Sequence, residues 1–363
     1  MEQEYRYMVC TSCMTYNHAP YIVDAMNGFT MQETTFPVYY LITDDASTDG
    51  EPEVIKQYLA DHFQSPYRTE DTDDYYLICA VHKTNPNCNF IVFFLKYNHY
   101  SIKKSKLPYQ AEWRDNAKYI ALCEGDDYWI DSMKLQKQVD FLESHPDYSM
   151  CFTDVRNYFV EEKKMGDCQS LKYKKGNVNL ERCNKSEAFY YILLGICRIQ
   201  TLSVMYSKNL LNKREPNPIN FLMGDTPLWL HMSQYGIIKY LDDCTGVYRI
   251  HNGSVSRNSD TKYKFRFSMY EMRVYYCIKY GYDIPMVIKW AYNKSMFSLY
   301  SNNIILDREP LYSYFPILNK SLWEKSSYFN KLFYRIICII VSIIVITVKK
   351  IRPRWLFKIR NGH

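Results

Sequence analysis

Short apolar, β-branched or aromatic runs that end in polar turns recur along the first half of the chain. Met8 to Met14 runs into Thr15-Tyr-Asn-His18, and Pro20 then opens a helix towards Gln32. Val38 to Thr43 ends in Asp44 and Asp45, followed by Ser47, Thr48 and Asp49. Those three offer N-caps for a helix of roughly Glu51 to Phe63, with Pro52 suited to its first turn. Tyr119 to Cys123 ends in Glu124, Asp126 and Asp127 around Gly125. Strand, loop and helix at about 30-residue spacing predict βαβ units and a parallel sheet.

Residues 1 to about 150 are therefore expected to form four parallel strands with helices on both faces. Beyond Tyr148 the pattern predicts a strand from Met150 to Asp154, then a polar loop rich in Lys and Glu to about Asn184. Residues 185 to 260 are expected to finish the sheet, with a strand over Thr245 to Ile250. Lys262 to about Leu306 reads as helical, its Met, Tyr and Phe at core-packing spacing.

Polar loops at consecutive strand ends share one edge of such a sheet, which is where open α/β sheets bind ligands. Glu124, Asp126 and Asp127 repel one another unless a cation or hydrogen-bond donors neutralise them. Hard divalent cations suit such oxygens and usually arrive with a phosphate-bearing substrate. Taken alone, Asp225 in Met223-Gly-Asp-Thr-Pro-Leu-Trp229 reads as a helix N-cap, and His251 after its strand as an ordinary loop histidine. Cys10 and Cys13 lie in one strand and point to opposite faces, so they cannot chelate one metal. No dinucleotide fingerprint, P-loop or G-x-S-x-G elbow is present.

Thr15-Tyr-Asn-His18, Asp44-Asp-Ala-Ser-Thr-Asp-Gly50, Glu124-Gly-Asp-Asp-Tyr-Trp129, Gly224-Asp225 and Tyr248-Arg-Ile-His251 match, in order and spacing, motifs of one enzyme family. Over about residues 5 to 260 the chain resembles the family 2 glycosyltransferases of bacterial polysaccharide biosynthesis, inverting enzymes with the GT-A fold. Lys134 to Pro146 looks like the helix that follows their metal motif. The resemblance implies a Rossmann-like α/β fold, a nucleotide-diphosphate sugar donor, and Mn²⁺ or Mg²⁺. It implies that Asp126 binds the metal, with Glu124 where the first Asp of a D-x-D often stands. It further implies that Asp45 contacts the nucleoside and that Asp225 is the base. His251 becomes an additional metal or diphosphate contact, with Arg249 nearby. Thr15, Asn17, Asp44 and Asp127 complete the expected nucleotide-sugar site. The family's N-x-G segment after the third strand is not matched, since Asn85-Pro-Asn-Cys-Asn89 lacks the glycine. The Lys- and Tyr-rich stretch from Tyr97 to Asn116 is longer than the family pattern. His18 reads as structural or near the base and not as catalytic, and Tyr128 and Trp129 as packing at the sheet rim.

Composition adds a bias. Tyr is used 36 times and aromatic residues make up 17% of the chain, which suits a groove that stacks on sugar faces. The 12 cysteines show no framework spacing, consistent with reduced thiols. Lys331, Arg335, Lys349, Lys350, Arg352, Arg354, Lys358 and Arg360 stand in a C-terminal stretch without acids. Because those eight cations belong to a chain of net charge +6, the first 330 residues carry −2 and no nucleic-acid partner is expected.

The same stretch holds an apolar run, Ile336 to Val348, whose helix would rise about 20 Å against a hydrocarbon core of roughly 30 Å. Cations mixed with Trp355, Leu356 and Phe357 suit an interfacial segment on anionic lipid. The expected organisation is a transferase domain over 1–260, split into a nucleotide-binding half (1–150) and an acceptor half (151–260). A helical extension (261–330) and a membrane-anchoring tail (331–363) follow. The expected setting is the cytoplasmic face of the plasma membrane, with a lipid-linked saccharide as acceptor. A sugar-phosphate nucleotidyltransferase and a non-catalytic membrane-associated nucleotide-sugar binder are the competing readings. The first lacks its Gly-rich opening loop here, and Asp45, Asp126 and Asp225 are more than the second needs.

Overall fold

The computed structural model describes residues 5–213, 221–251 and 262–305. Two compact units divide the chain: Met1–Pro218 with Leu228–His251, and Ile219–Pro227 with Asn252–His363. The expected membrane-anchoring tail, 331–363, lies outside the described residues. Among the described residues no helix is long and apolar enough to cross a membrane.

The first unit is a mixed α/β fold around one 11-stranded sheet. Its centre is built by β1 (Tyr7–Thr15), α1 (Ile22–Thr30), β2 (Val38–Asp44) and α2 (Glu51–His62), as the apolar pattern predicts. A hairpin, β3 (Arg68–Asp71) and β4 (Tyr75–Val81), precedes β5 (Cys88–Leu95). Then come α3 (Leu107–Arg114), β6 (Ala117–Leu122), the short β7 (Tyr128–Trp129) and α4 (Lys134–Ser144). Strands β5, β2, β1 and β6 lie side by side and parallel, the expected four. Every residue of β5 is buried, as a strand covered on both faces requires.

The remaining strands extend both edges. β8 (Tyr148–Phe159) and β9 (Lys164–Cys168) pair antiparallel, followed by α5 (Ser170–Asn179), α6 (Lys185–Leu194) and β10 (Val204–Ser207). β10 joins β6 to β8 through antiparallel pairs. After α7 (Asp225–Met232), β11 (Ile237–Ile250) runs parallel to β8 and its end also pairs with β7. The second unit holds α8 (Lys262–Lys279) and α9 (Met286–Ile305).

Several expectations change. The expected polar loop up to Asn184 is the far half of β8, β9 and α5, whose largely polar residues give no apolar period to read. The stretch expected to be helical over 262 to 306 is two helices, separated where Gly281 takes φ +71° and at Pro285. Asn85 to Asn89, read as following the third parallel strand, instead turns into it, so the ligand-edge loop after β5 is residues 96–106. The N-cap position of α2 is Gly50 at φ +90°, and Ser47 and Thr48 reach across to the first loop. Asp49 does both: its Oδ1 accepts the Glu51 N–H at the start of α2 (3.2 Å) and its Oδ2 the Ala19 N–H of the first loop.

One close approach fixes α1 on the sheet. A Cβ at Gly28 would meet the backbone N of Trp129 at 2.8 Å and its O at 3.0 Å. Backbone cannot yield as a flexible side chain can, so Gly28→Ala should cost about 1–3 kcal/mol despite alanine's better helix propensity. Thermal melts should show a lower Tm; an unchanged or raised Tm would mean that α1 does not seat against β7 this closely.

Candidate functional site

Three loops meet at the carboxyl ends of β1, β2 and β6. The first two are joined by a carboxylate to which sequence reasoning gave no role. Glu51, fully buried at the start of α2, accepts from Thr15 Oγ1, from the His18 backbone N–H at 2.9 Å and from Ser47 Oγ at 2.8 Å. Asn17, at φ +57°, donates its N–H to Ser47 Oγ (2.9 Å) and accepts from Thr48 N–H (2.8 Å). Asp49 Oδ2 accepts from Ala19 N–H at 2.9 Å. Thr15 and Asn17 thus help to hold the loops together.

The third loop packs under the first. Gly125 N–H donates to Met14 O at 3.1 Å, and a Cβ there would meet Thr15 Oγ1 at 2.2 Å. Only glycine brings the acidic turn this close to β1, and the result is a shared cluster. His251 Nε2 stands 3.0 Å and His18 Nε2 3.9 Å from the same oxygen, Asp126 Oδ2. One ligand atom from each of His18, Asp126 and His251 lies within 4.8 Å of the others. Burial pushes the Asp126 carboxyl up, but the His251 hydrogen bond and the two imidazoles outweigh it and leave it below the usual range. His18, read from sequence as structural or near the base, therefore belongs to the candidate metal centre. The signal that it does so is the spacing that puts it one turn beyond a strand end, which many loop histidines share.

The neighbouring carboxylates are disarmed differently. Asp127 is buried and accepts the Arg249 N–H at 2.8 Å; burial, then the charges of Asp126 and Glu124, drive its carboxyl well up. Arg249 donates to Asp126 O at 2.8 Å, pairs with Asp24 of α1, and lies over the rings of Tyr128 (4.4 Å) and Tyr21 (5.1 Å). It holds α1, the acidic turn and the end of β11 together. Glu124 is half-buried beside this cluster. Trp129 is core: its indole packs on Phe29 at 5.0 Å and donates to Leu202 O at 2.7 Å. Burial pushes the Cys123 thiol well up, as befits a strand residue and not a nucleophile.

Asp45 faces the loop after β5. Its carboxylate accepts the N–H groups of His99 (2.7 Å) and Tyr100 (3.1 Å) and pairs with Lys106 Nζ at 2.7 Å. Asp225 begins α7, in the second unit, and its Oδ1 accepts the Thr226 N–H at 2.5 Å.

Comparisons with known proteins give outline likeness. No family model matches the chain. Uncharacterized proteins of Mycobacterium bovis and Mycobacterium tuberculosis are 30% identical over 247 residues, 66% of this chain and 57% of theirs. The chain thus spans less than two thirds of the length of these curated relatives. Similar solved structures include S. aureus TarS 1–349 in complex with UDP-GlcNAc, with TM-score 0.48 and 15% identity over 87% of this chain and 78% of that one. Another is the mannosyltransferase PcManGT from Pyrobaculum calidifontis in complex with GDP-Man and Mn²⁺, with TM-score 0.49 and 13% identity over 97% and 92%.

Asp44 yields a pH prediction. It is 1% exposed, and burial pushes its carboxyl up to about 6; the Ser47 hydrogen bonds oppose this, and the charges of Glu51 and Asp45 add to it. The folded chain therefore keeps this proton where the unfolded chain has lost it, so its ionisation weakens the fold as pH climbs from 3.8 to about 6. At about 1.4 kcal/mol per pH unit the full loss is about 3 kcal/mol. Asp44→Asn should raise Tm clearly at pH 8 and little at pH 4. Equal shifts at both pH values would show that Asp44 is not held protonated by the fold.

Proposed function

We propose that the chain is an inverting, metal-dependent glycosyltransferase of family 2 type, moving a sugar from a nucleotide-diphosphate donor to a saccharide hydroxyl. The observation that carries this reading is the convergence of His18, Asp126 and His251 from three separate loops at the carboxyl ends of β1, β6 and β11 of the mixed sheet. Strand-end loops of that kind serve phosphate-bearing ligands. Two imidazole nitrogens and one carboxylate oxygen fit Mn²⁺ better than Mg²⁺, which takes oxygen ligands almost alone.

The residues fit the metal's requirements in their outer contacts as well. Thr15 Oγ1 lies 3.2 Å from His18 Nδ1 and orients that ring, while Arg249 fixes the backbone of Asp126. When bound, the ion would supply Lewis acidity towards a leaving diphosphate. The chain's own work is then to orient both substrates and to manage one proton. Asp45 would receive the nucleoside. Asp225 would take the proton from the acceptor hydroxyl as its oxygen bonds to the anomeric carbon and the bond from that carbon to the diphosphate breaks. A single displacement of this kind inverts the anomeric centre. The acceptor we assign is lipid-linked, met at the cytoplasmic face of the membrane. Its support is the basic, apolar sequence of residues 331–363.

The test is release of nucleoside diphosphate from a panel of nucleotide sugars, with Mn²⁺ and candidate acceptors, by the full chain. Release should require Mn²⁺ and vanish in Asp126→Ala. Asp225→Asn should lose about 10²- to 10⁴-fold in turnover with Tm preserved. Full activity in Asp126→Ala, or turnover indifferent to chelation, would overturn the metal-dependent reading.

A further inference from the structure

The loop after β5 is suspended between two carboxylates. On its inner side it gives Asp45 the amides of His99 and Tyr100 and the Lys106 ammonium, and Asn98 Nδ2 donates to Asp45 O at 3.2 Å. On its outer side it grips Asp74, in the turn between β3 and β4. That carboxylate accepts from two loop groups, Lys104 Nζ at 2.7 Å and Tyr97 Oη, and from Tyr109 Oη of α3 at 2.8 Å. The two ends are linked through His99, whose Nε2 lies 3.1 Å from Tyr109 Oη and whose ring stacks on Tyr97 at 4.6 Å.

Apolar burial does little to hold this loop in place. Tyr100 is 61% and Ile102 58% exposed, and Ser101 to Ser105 are all exposed. A segment with few buried apolar contacts opens locally at low cost, so its polar ties set its position. Charge-assisted bonds are the stronger ones, and Asp74 collects an ammonium and two phenols.

We propose that Asp74 is a positioning residue for Asp45: through the loop it sets the His99 and Tyr100 amides against the Asp45 carboxylate and so governs affinity for the nucleoside diphosphate part of the donor. This rests on the glycosyltransferase reading for the ligand, but the coupling of Asp74 to Asp45 is independent of it. The side-chain partners of Asp74 are Tyr97, Lys104 and Tyr109 and not His18, Asp126 or His251, so the chemical step should be spared.

The test compares the full chain with Asp74→Ala and Asp74→Glu. Amide exchange at His99 and Tyr100 should accelerate roughly tenfold or more in Asp74→Ala, with Tm nearly unchanged and partial recovery in Asp74→Glu. The Kd for UDP or GDP, whichever the unaltered protein binds, should rise roughly tenfold, and donor KM with it, while kcat at saturating donor stays within about twofold. Unchanged exchange at both amides overturns the proposal, as does accelerated exchange with unaltered nucleotide affinity. Accelerated exchange in a protein that binds no nucleotide upholds the coupling and overturns the functional reading instead.

Discussion

Crowding of negative charge at one sheet edge is the constraint from which the rest of this site follows. Asp44, Asp45, Glu51, Glu124, Asp126 and Asp127 all stand at or just beyond the ends of β2 and β6. Each of the partners described removes part of that repulsion by a different means. Asp44 and Asp127 are pushed towards holding a proton, and Asp45 is neutralised by Lys106 and two amides. Glu51 is saturated by two hydroxyls and an amide. Asp126 alone of the six faces two imidazoles, and it is the carboxylate we assign to a cation.

This division of labour also explains why the loops are so tightly cross-linked. A metal centre of the kind proposed, assembled from separate loops, would need each loop fixed relative to the others before the ion arrives. Glu51 and Asp49 tie the first loop to the second, Gly125 seats the third under the first, and Arg249 fastens the end of β11 to α1. Thr15, Asn17 and Arg249, read from the motifs as ligand contacts, also fasten the loops of the site to one another.

β1, β2 and β6 were legible because apolar runs closed by polar turns, acidic after β2 and β6, have few other readings, whereas β5 was not placed, Asn85 to Asn89 being read as following its strand. The hairpin Arg68–Val81 went unread, since its residues alternate at the sheet's edge where burial is partial. Glu51 was hidden as an ordinary first-turn acid of a helix, and nothing in its neighbours signals that it crosses to another loop. His18 was visible but ambiguous, because its role depends on a pairing with Asp126 across 108 positions that only the fold creates. The loop at residues 96–106 looked like an insertion; its function of holding Asp45 rests on backbone amides, which no side-chain pattern announces.

The central claim is that His18, Asp126 and His251 form one cation site for a diphosphate-bearing ligand. Titration of Mn²⁺ into the purified protein, followed by electron paramagnetic resonance with and without UDP or GDP, tests it most directly. The account predicts a single tight site, strengthened by the diphosphate and lost in His18→Ala as well as in Asp126→Ala and His251→Ala. Retention of that site in His18→Ala and His251→Ala alike would contradict it.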